Sequence, residues 1–411
     1  MCRFFIITYV QPANRRFFCF MSIDIATASR LGTVEEYYFS TKLKEIASLR
    51  AVGIPVINLG IGSPDLAPSA ATIQALRESA ENPANHAYQS YQGIPALRQA
   101  FANFYAKHYG VSVDWNQEIL PLIGSKEGIM HIAMAYLEPG DETLIPNPGY
   151  PTYQAACALA GATVRTYELS EEGNWLPDLE VLGQQDLSRV KIMWVNYPHM
   201  PTGAKADTGF FTRLRDFAIK HNILLVNDNP YSFILNEQPM SMLSIPGMKE
   251  VAIELNSLSK SHNMAGWRIG AAIGKAAFLQ PVMKFKSNMD SGMFLPLQEA
   301  AAKALEADST WFENQNTLYQ GRQKLVFQIM DIVGCRYDSA QTGMFVWAKV
   351  PDEYASGYAL SDKILAENAV FITPGGIFGT QGNGYVRISL CAKEDVFKEA
   401  IERINTHSNG K

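Results

Sequence analysis

From residue 118 to residue 273, short runs of β-branched and other apolar residues alternate with stretches in which apolar positions return every third or fourth residue. The first spacing suits a buried strand and the second an amphipathic helix. The pattern predicts strands over 118–122, 142–146, 163–168, 191–196, 223–227, 251–256 and 268–273, with helices between them, among them 125–137 and 209–221. In the latter helix Phe210, Phe211, Leu214, Phe217 and Ala218 share one face. Strands and helices in alternation imply βαβ units, hence an α/β fold with a large, mostly parallel sheet flanked by helices. Near Pro296 the pattern changes to a long helical segment, 297–333, and then to a β/α stretch closed by a helix over 394–404. This second part is expected to form a smaller α+β domain, with a helix over 33–50 packing on it. The expected organisation is an extension (1–20), an N-terminal segment (21–67), a large domain (68–295) and a small C-terminal domain (296–411).

Length supports two cores, because 411 residues exceed what one core normally organises. A net charge of −5 without a basic cluster argues against nucleic acid as a partner. The apolar runs fall short of the roughly 20 residues that span a bilayer, so no membrane partner is expected. Cys2, Cys19, Cys157, Cys335 and Cys391 are scattered without metal-ligand spacing, which fits free thiols in a reducing cytoplasm and no metal site. Residues 1–20 hold an apolar run, Phe4 to Val10, that Gln11-Pro12 breaks and Arg15-Arg16 follow. No small-residue cleavage site closes it, so the expectation is an over-long start with Met21 as the working N-terminus.

The chemistry concentrates at strand ends. The segment SLSKSHNMAGWRIG, residues 257–270, follows an alternating strand and so projects from the carboxyl edge of the sheet, where open α/β sheets bind ligands. Lys260 there has Arg268 eight residues on, and nearby positive charge with partial desolvation lowers an amine's pKa and makes it a nucleophile. Ile123-Gly124-Ser125-Lys126-Glu127-Gly128 passes from a strand into a helix, a natural anion-binding turn. Tyr150 lies in the turn after strand 142–146, Asp228 ends strand 223–227 and Tyr231 follows three residues later. Arg387 sits between apolar residues in Gly384-Tyr385-Val386-Arg387-Ile388-Ser389, where its planar fork suits a carboxylate held bidentately. Taken singly, each has a plain structural reading: a surface lysine, an N-cap, a packed tyrosine, a turn aspartate or an edge-strand arginine.

In this order the motifs resemble those of the class I/II (fold type I) aminotransferases, over most of the chain from Thr33 to Ile404. The resemblance implies pyridoxal 5'-phosphate (PLP) carried as a Schiff base on Lys260, the catalytic residue. It implies a phosphate held by Ser125, Lys126, Ser257 and Arg268, a ring covered by Tyr150, and a ring nitrogen and phenolic oxygen met by Asp228 and Tyr231. It further implies a homodimer in which Tyr88 reaches the partner's phosphate. Arg387 would clamp the substrate carboxylate, the Gly62 backbone would border the substrate, Tyr38 would belong to a lid, and Asn288 would lie near the phosphate or the partner's site. The reaction implied is ping-pong transamination of an L-amino acid with a 2-oxo acid, with glutamate and 2-oxoglutarate as one pair. The motifs lean toward the branch containing LL-diaminopimelate, aspartate and alanine aminotransferases. A PLP-dependent lyase on the same scaffold, such as a C–S lyase, is the alternative, and a binding module without turnover is a further one.

One position departs from the family pattern. In Asn196-Tyr197-Pro198-His199-Met200-Pro201-Thr202-Gly203, Met200 stands where an asparagine usually reaches cofactor and substrate, and a thioether donates no hydrogen bond. Asn196 or His199 could reach in instead. Altered specificity or rate is expected.

Overall fold

The computed structural model describes residues 23–408 apart from residues 35 and 37, so the expectation about residues 1–20 falls outside the described residues. All seven expected strands of the large sheet form, with ends moved by up to two residues: Ile119–Leu122, Glu142–Asn147, Thr163–Glu168, Val190–Val195, Leu224–Asp228, Ala252–Ser257 and Gly270–Gly274. Across the sheet they run Ile119–Leu122, Gly270–Gly274, Ala252–Ser257, Leu224–Asp228, Val190–Val195, Glu142–Asn147 and Thr163–Glu168. Gly270–Gly274 is antiparallel to both neighbours and every other pairing is parallel. The central strands are apolar on both faces because helices cover both, whereas the edge strand Thr163–Glu168 is largely exposed.

Some helix boundaries have a clear local cause. Asp207 caps Thr208–His221 by accepting from the Phe210 amide at 2.6 Å, and Asn222 closes it in the left-handed conformation. The five residues expected on its inner face are the five it buries. In Ser125–Tyr136, Gly128 lets the helix lie close on the sheet, since a Cβ there would come within 2.6 Å of Leu122 and 2.8 Å of Leu255.

The expected segment 297–333 is two helices, Leu295–Ala304 and Ser309–Ile332. The break has a sequence signal, for Asp308 caps the second helix by accepting from the Trp311 amide at 3.3 Å. The first packs against Ala70–Glu81 and Pro95–Tyr109 on the large-sheet side. The second changes partners along its length: Phe312 joins the core beside the large sheet, while Tyr319, Val326, Ile329 and Met330 join the C-terminal core. That core lies against a four-stranded antiparallel sheet in the order Thr373–Pro374, Tyr385–Ser389, Phe345–Lys349 and Arg336–Tyr337. The N-terminal helix Tyr38–Ala51 packs with Ile46 against Val56 and Phe371, and Ile57–Asn58 pairs in parallel with Val370–Phe371. The chain between them, residues 59–65, is thereby led across the carboxyl edge of the large sheet.

Candidate active site

Strand direction gathers the polar residues. Five parallel strands and Ile119–Leu122 end at one edge, where the antiparallel Gly270–Gly274 begins. Ser125 and Lys126 follow Leu122, Tyr150 follows Asn147, Asn196 follows Val195, Asp228 ends its own strand, Lys260 follows Ser257, and Arg268 precedes Gly270. These residues line a cavity of about 470 Å³ together with Gly62, Ser259, Met200, Tyr231 and Arg387. Its walls carry four cations, Lys126, Lys260, Arg268 and Arg387, against one carboxylate, Asp228. Such a balance favours anionic ligands.

Lys260 lies on a single helical turn, Leu258–Ser261, and its ammonium donates to the carbonyl of Gly62. Burial lowers its pKa, and Arg387 and Arg268 press the same way against the opposing influence of Cys391 and Asp228. Gly62 must be glycine for the loop to pass, because a Cβ would stand 2.3 Å from the Phe345 ring.

The turn into Ser125–Tyr136 lies at a helix N-terminus, the positive end of the helix dipole. Gly124 has φ +78, and a Cβ on it would meet Arg268 Nη2 at 2.1 Å, so the guanidinium lies directly against this turn. Arg268 itself holds φ +57, an uncommon value for a side-chain-bearing residue, with Nη1 donating to Ala265 O at 3.0 Å and Ser259 Oγ at 3.3 Å. Burial and Arg268 lower the pKa of Lys126. Ser257 accepts from the Ser259 amide at 3.3 Å.

Asp228 Oδ2 accepts from the Tyr153 hydroxyl at 3.1 Å. Its Oδ1 is buried and makes no hydrogen bond among the described residues. Burial raises the carboxyl pKa to about 6, with Tyr153, Ser125 and Lys260 partly opposing. A buried acceptor beside a tyrosine shelf suits a flat heterocycle with a protonated nitrogen, and the cationic turn suits its phosphate. The residues present therefore fit PLP.

Arg387 enters from the C-terminal sheet. Its Nη2 donates to Gly60 O at 2.9 Å, its Nη1 lies 3.3 Å from Met200 Sδ, and its guanidinium is ringed by Phe345, Phe378 and Phe39 at 3.9, 4.6 and 5.7 Å. The loop that supplies Gly60 and Gly62 is fixed behind by Asp65, which accepts two hydrogen bonds from the buried Arg322 at 2.7 and 2.9 Å.

Three sequence-assigned residues stand outside the cavity of this chain. Tyr38 packs edge-on to Phe39 and Tyr358, and the neighbouring Phe39 and Leu43 line the cavity instead. Tyr88 is 91% exposed. Asn288 donates to Lys284 O at 2.9 Å. Of the two residues expected to reach in beside Met200, Asn196 does line the cavity, donating to the Asp228 carbonyl and accepting from the Met200 amide at 2.8 Å. His199 does not: it is buried against Thr202, and burial drops its pKa to about 3. Sequence reasoning missed Tyr153, Phe345 and Phe378, which come from the first turn of helix Pro151–Leu159, from the C-terminal sheet and from the 3-10 turn Gly375–Phe378, and carry no local signal.

The chain belongs to the family described as aminotransferase class I and II, whose model matches residues 54–404. It is a transaminase, and the family depends on PLP in general. It is 40% identical over 379 residues to an LL-diaminopimelate aminotransferase of Dehalococcoides mccartyi, covering 92% of this chain and 97% of that one. An LL-diaminopimelate aminotransferase of Oleidesulfovibrio alaskensis is 41% identical over 380 residues, 92% and 98% of the two chains. Among solved structures, apo-BacF from Bacillus subtilis superposes with a TM-score of 0.90 at 35% identity, over 94% of this chain and 99% of that one. These similarities do not favour the lyase alternative. No described helix is long and apolar enough to cross a membrane.

Proposed function

We propose that the chain moves an amino group from an L-amino acid to a 2-oxo acid with PLP held on Lys260, glutamate and 2-oxoglutarate forming one pair. The observation that carries this reading is the placing of Lys260 between two anion-binding centres, the Ser125–Lys126–Arg268 turn and Arg387, in one cavity. Ser125, Lys126, Ser257 and Arg268 would hold the phosphate, Tyr150 would cover the ring, Asp228 would accept from the ring nitrogen and Tyr231 would donate to the phenolic oxygen. When bound, PLP supplies an electron sink that stabilises negative charge at the substrate Cα. Arg387 takes the substrate α-carboxylate and so fixes which Cα bond faces Lys260. Lys260, once displaced by the substrate amine, would carry the proton from the substrate Cα to the cofactor in the half-reaction with the amino donor and back to Cα in the half-reaction with the 2-oxo acid. The burial that lowers its pKa favours this base role.

The functional unit proposed is a homodimer. Tyr88, together with the exposed Met289 and Phe294 near Asn288, supplies surface for a partner, with Tyr88 offered to the partner's phosphate site and Asn288 beside it. Tyr38 supports the lid helix behind Phe39. The free thiols Cys157, Cys335 and Cys391 accord with a cytoplasmic setting.

The LL-diaminopimelate aminotransferases that the chain resembles make LL-diaminopimelate the first amino donor to test, with aspartate and alanine beside it. The experiment is a screen of amino donors against 2-oxoglutarate with an absorbance scan of the protein. Donor-dependent glutamate formation is expected, and a wild-type protein that binds no PLP would overturn the reading.

A further inference from the structure

Behind the Gly124–Lys126 turn lies a buried ionic cluster that the reaction above does not use. Lys286, the last residue of helix Ala276–Lys286, is 0% exposed, and its ammonium donates to Glu127 Oε1 at 3.3 Å and to Asp290. Glu127, in the first turn of Ser125–Tyr136, reaches back with Oε2 to accept from the Ile123 amide at 2.5 Å. That reach fixes the strand-to-helix turn as the acid of a capping box does. His131 Nε2 lies 3.1 Å from the same Oε1 that Lys286 contacts. Glu127, His131 and Asp290 have the ligand types of a divalent-metal site, but the Lys286 ammonium bridges the two carboxylates and is itself the cation there.

The arrangement resolves an electrostatic conflict. A carboxylate in the first turn of a helix draws on the positive end of the helix dipole, the same feature an incoming anion uses. Burial opposes the charge on Glu127, yet His131, Lys286 and the Ile123 amide together hold its pKa below the usual range, so it is ionised. An ionised Glu127 gives the turn its shape and at the same time repels phosphate from Ser125 and Lys126.

We infer that Lys286 is a positioning residue for phosphate binding: it offsets the charge of Glu127 and Asp290 from behind, so that the turn keeps its Glu127 brace and its affinity for an anion. This rests on the reading of that turn as the PLP phosphate site. It also gives the segment around Asn288 a different point of contact with the site, through Lys286 and Asp290 from within this chain.

The test uses the full-length chain carrying Lys260→Ala, so that binding is non-covalent, and reads the affinity for PLP by fluorescence and for inorganic phosphate by competition. Adding Lys286→Met should weaken both by on the order of tenfold. Adding Glu127→Gln to that variant should recover most of the loss, because the amide still accepts from the Ile123 amide but carries no charge. Unchanged affinity in Lys286→Met, or a further-substituted variant as weak as Lys286→Met, overturns the inference. Should Lys286→Met fail to fold, Glu127→Gln on the Lys260→Ala parent decides: phosphate affinity should rise about threefold, and an unchanged or lower affinity overturns the role. A parent that binds neither PLP nor phosphate overturns the reading of the site itself and the role of Lys286 with it. A parent that binds both, with Lys286→Met binding equally, overturns the role alone.

Discussion

Arg387 Nη1 lies 3.3 Å from Met200 Sδ, so the guanidinium that is proposed to clamp the substrate carboxylate has a thioether at its side where the family usually has an amide. The thioether packs against the cation but offers a carboxylate nothing. Met200→Asn adds one donor at that place. It is expected to lower KM for the amino donor roughly fivefold with little change in kcat, the worth of one hydrogen bond. An unaltered KM would show that the position does not meet the substrate.

Asp228 makes stability depend on pH in the cofactor-free protein. Its folded pKa of about 6 lies above the ordinary 3.8, so the folded state holds a proton that the unfolded state releases. Stability therefore falls as pH rises from about 4 to about 6 and is level above that, at a cost on the order of 2–3 kcal/mol. Asp228→Asn still accepts from Tyr153 and carries no charge. Thermal unfolding without PLP should show the variant melting above wild type at pH 7 and level with it below pH 4, whereas PLP should raise the wild-type Tm more. Equal melting at every pH would contradict the burial argument.

Gly124 tests the turn. Alanine there is strained at φ +78 and its Cβ intrudes on Arg268. Gly124→Ala should cost about 1–3 kcal/mol of stability and weaken PLP binding at least severalfold, read by melting and by cofactor titration. Wild-type affinity would mean that Arg268 does not need to touch the turn.

Asp65 tests the loop that carries Gly60 and Gly62. Asp65→Asn leaves the buried Arg322 without its counter-charge and should cost about 3 kcal/mol in urea unfolding. Because Lys260 and Arg387 both donate to carbonyls of this loop, kcat/KM should fall as well. Full stability would show the pair to be no more than a surface contact.

Much of this was legible in the sequence because parallel sheets force it to be. Strands buried on both faces must be apolar, so Asp228 and Lys260 stand out at the points where apolar runs stop, and strand polarity then brings those points to one edge. What stayed hidden depends on tertiary approach. Tyr153 reads as a helix residue, and only the packing of that helix turns its hydroxyl to Asp228. Phe345 comes to Arg387 on the neighbouring strand of the C-terminal sheet and Phe378 from the turn Gly375–Phe378, approaches that no local pattern announces. In the segment around Asn288, the residue that the resemblance singles out, Lys286 looks like any helix-terminal lysine until the fold encloses it. The break at 305–308 could have been read from Asp308, but the strong periodicity on either side concealed it.

The central claim is that Lys260 carries PLP through two half-reactions joined by a 2-oxo acid. Its most direct test is visible absorbance of the PLP-loaded protein, first with an amino donor alone and then with 2-oxoglutarate. The donor should abolish the absorbance of the starting form, 2-oxoglutarate should restore it with stoichiometric glutamate, and Lys260→Ala should do neither at a comparable rate. Restoration without any 2-oxo acid, or wild-type rates in Lys260→Ala, would contradict it.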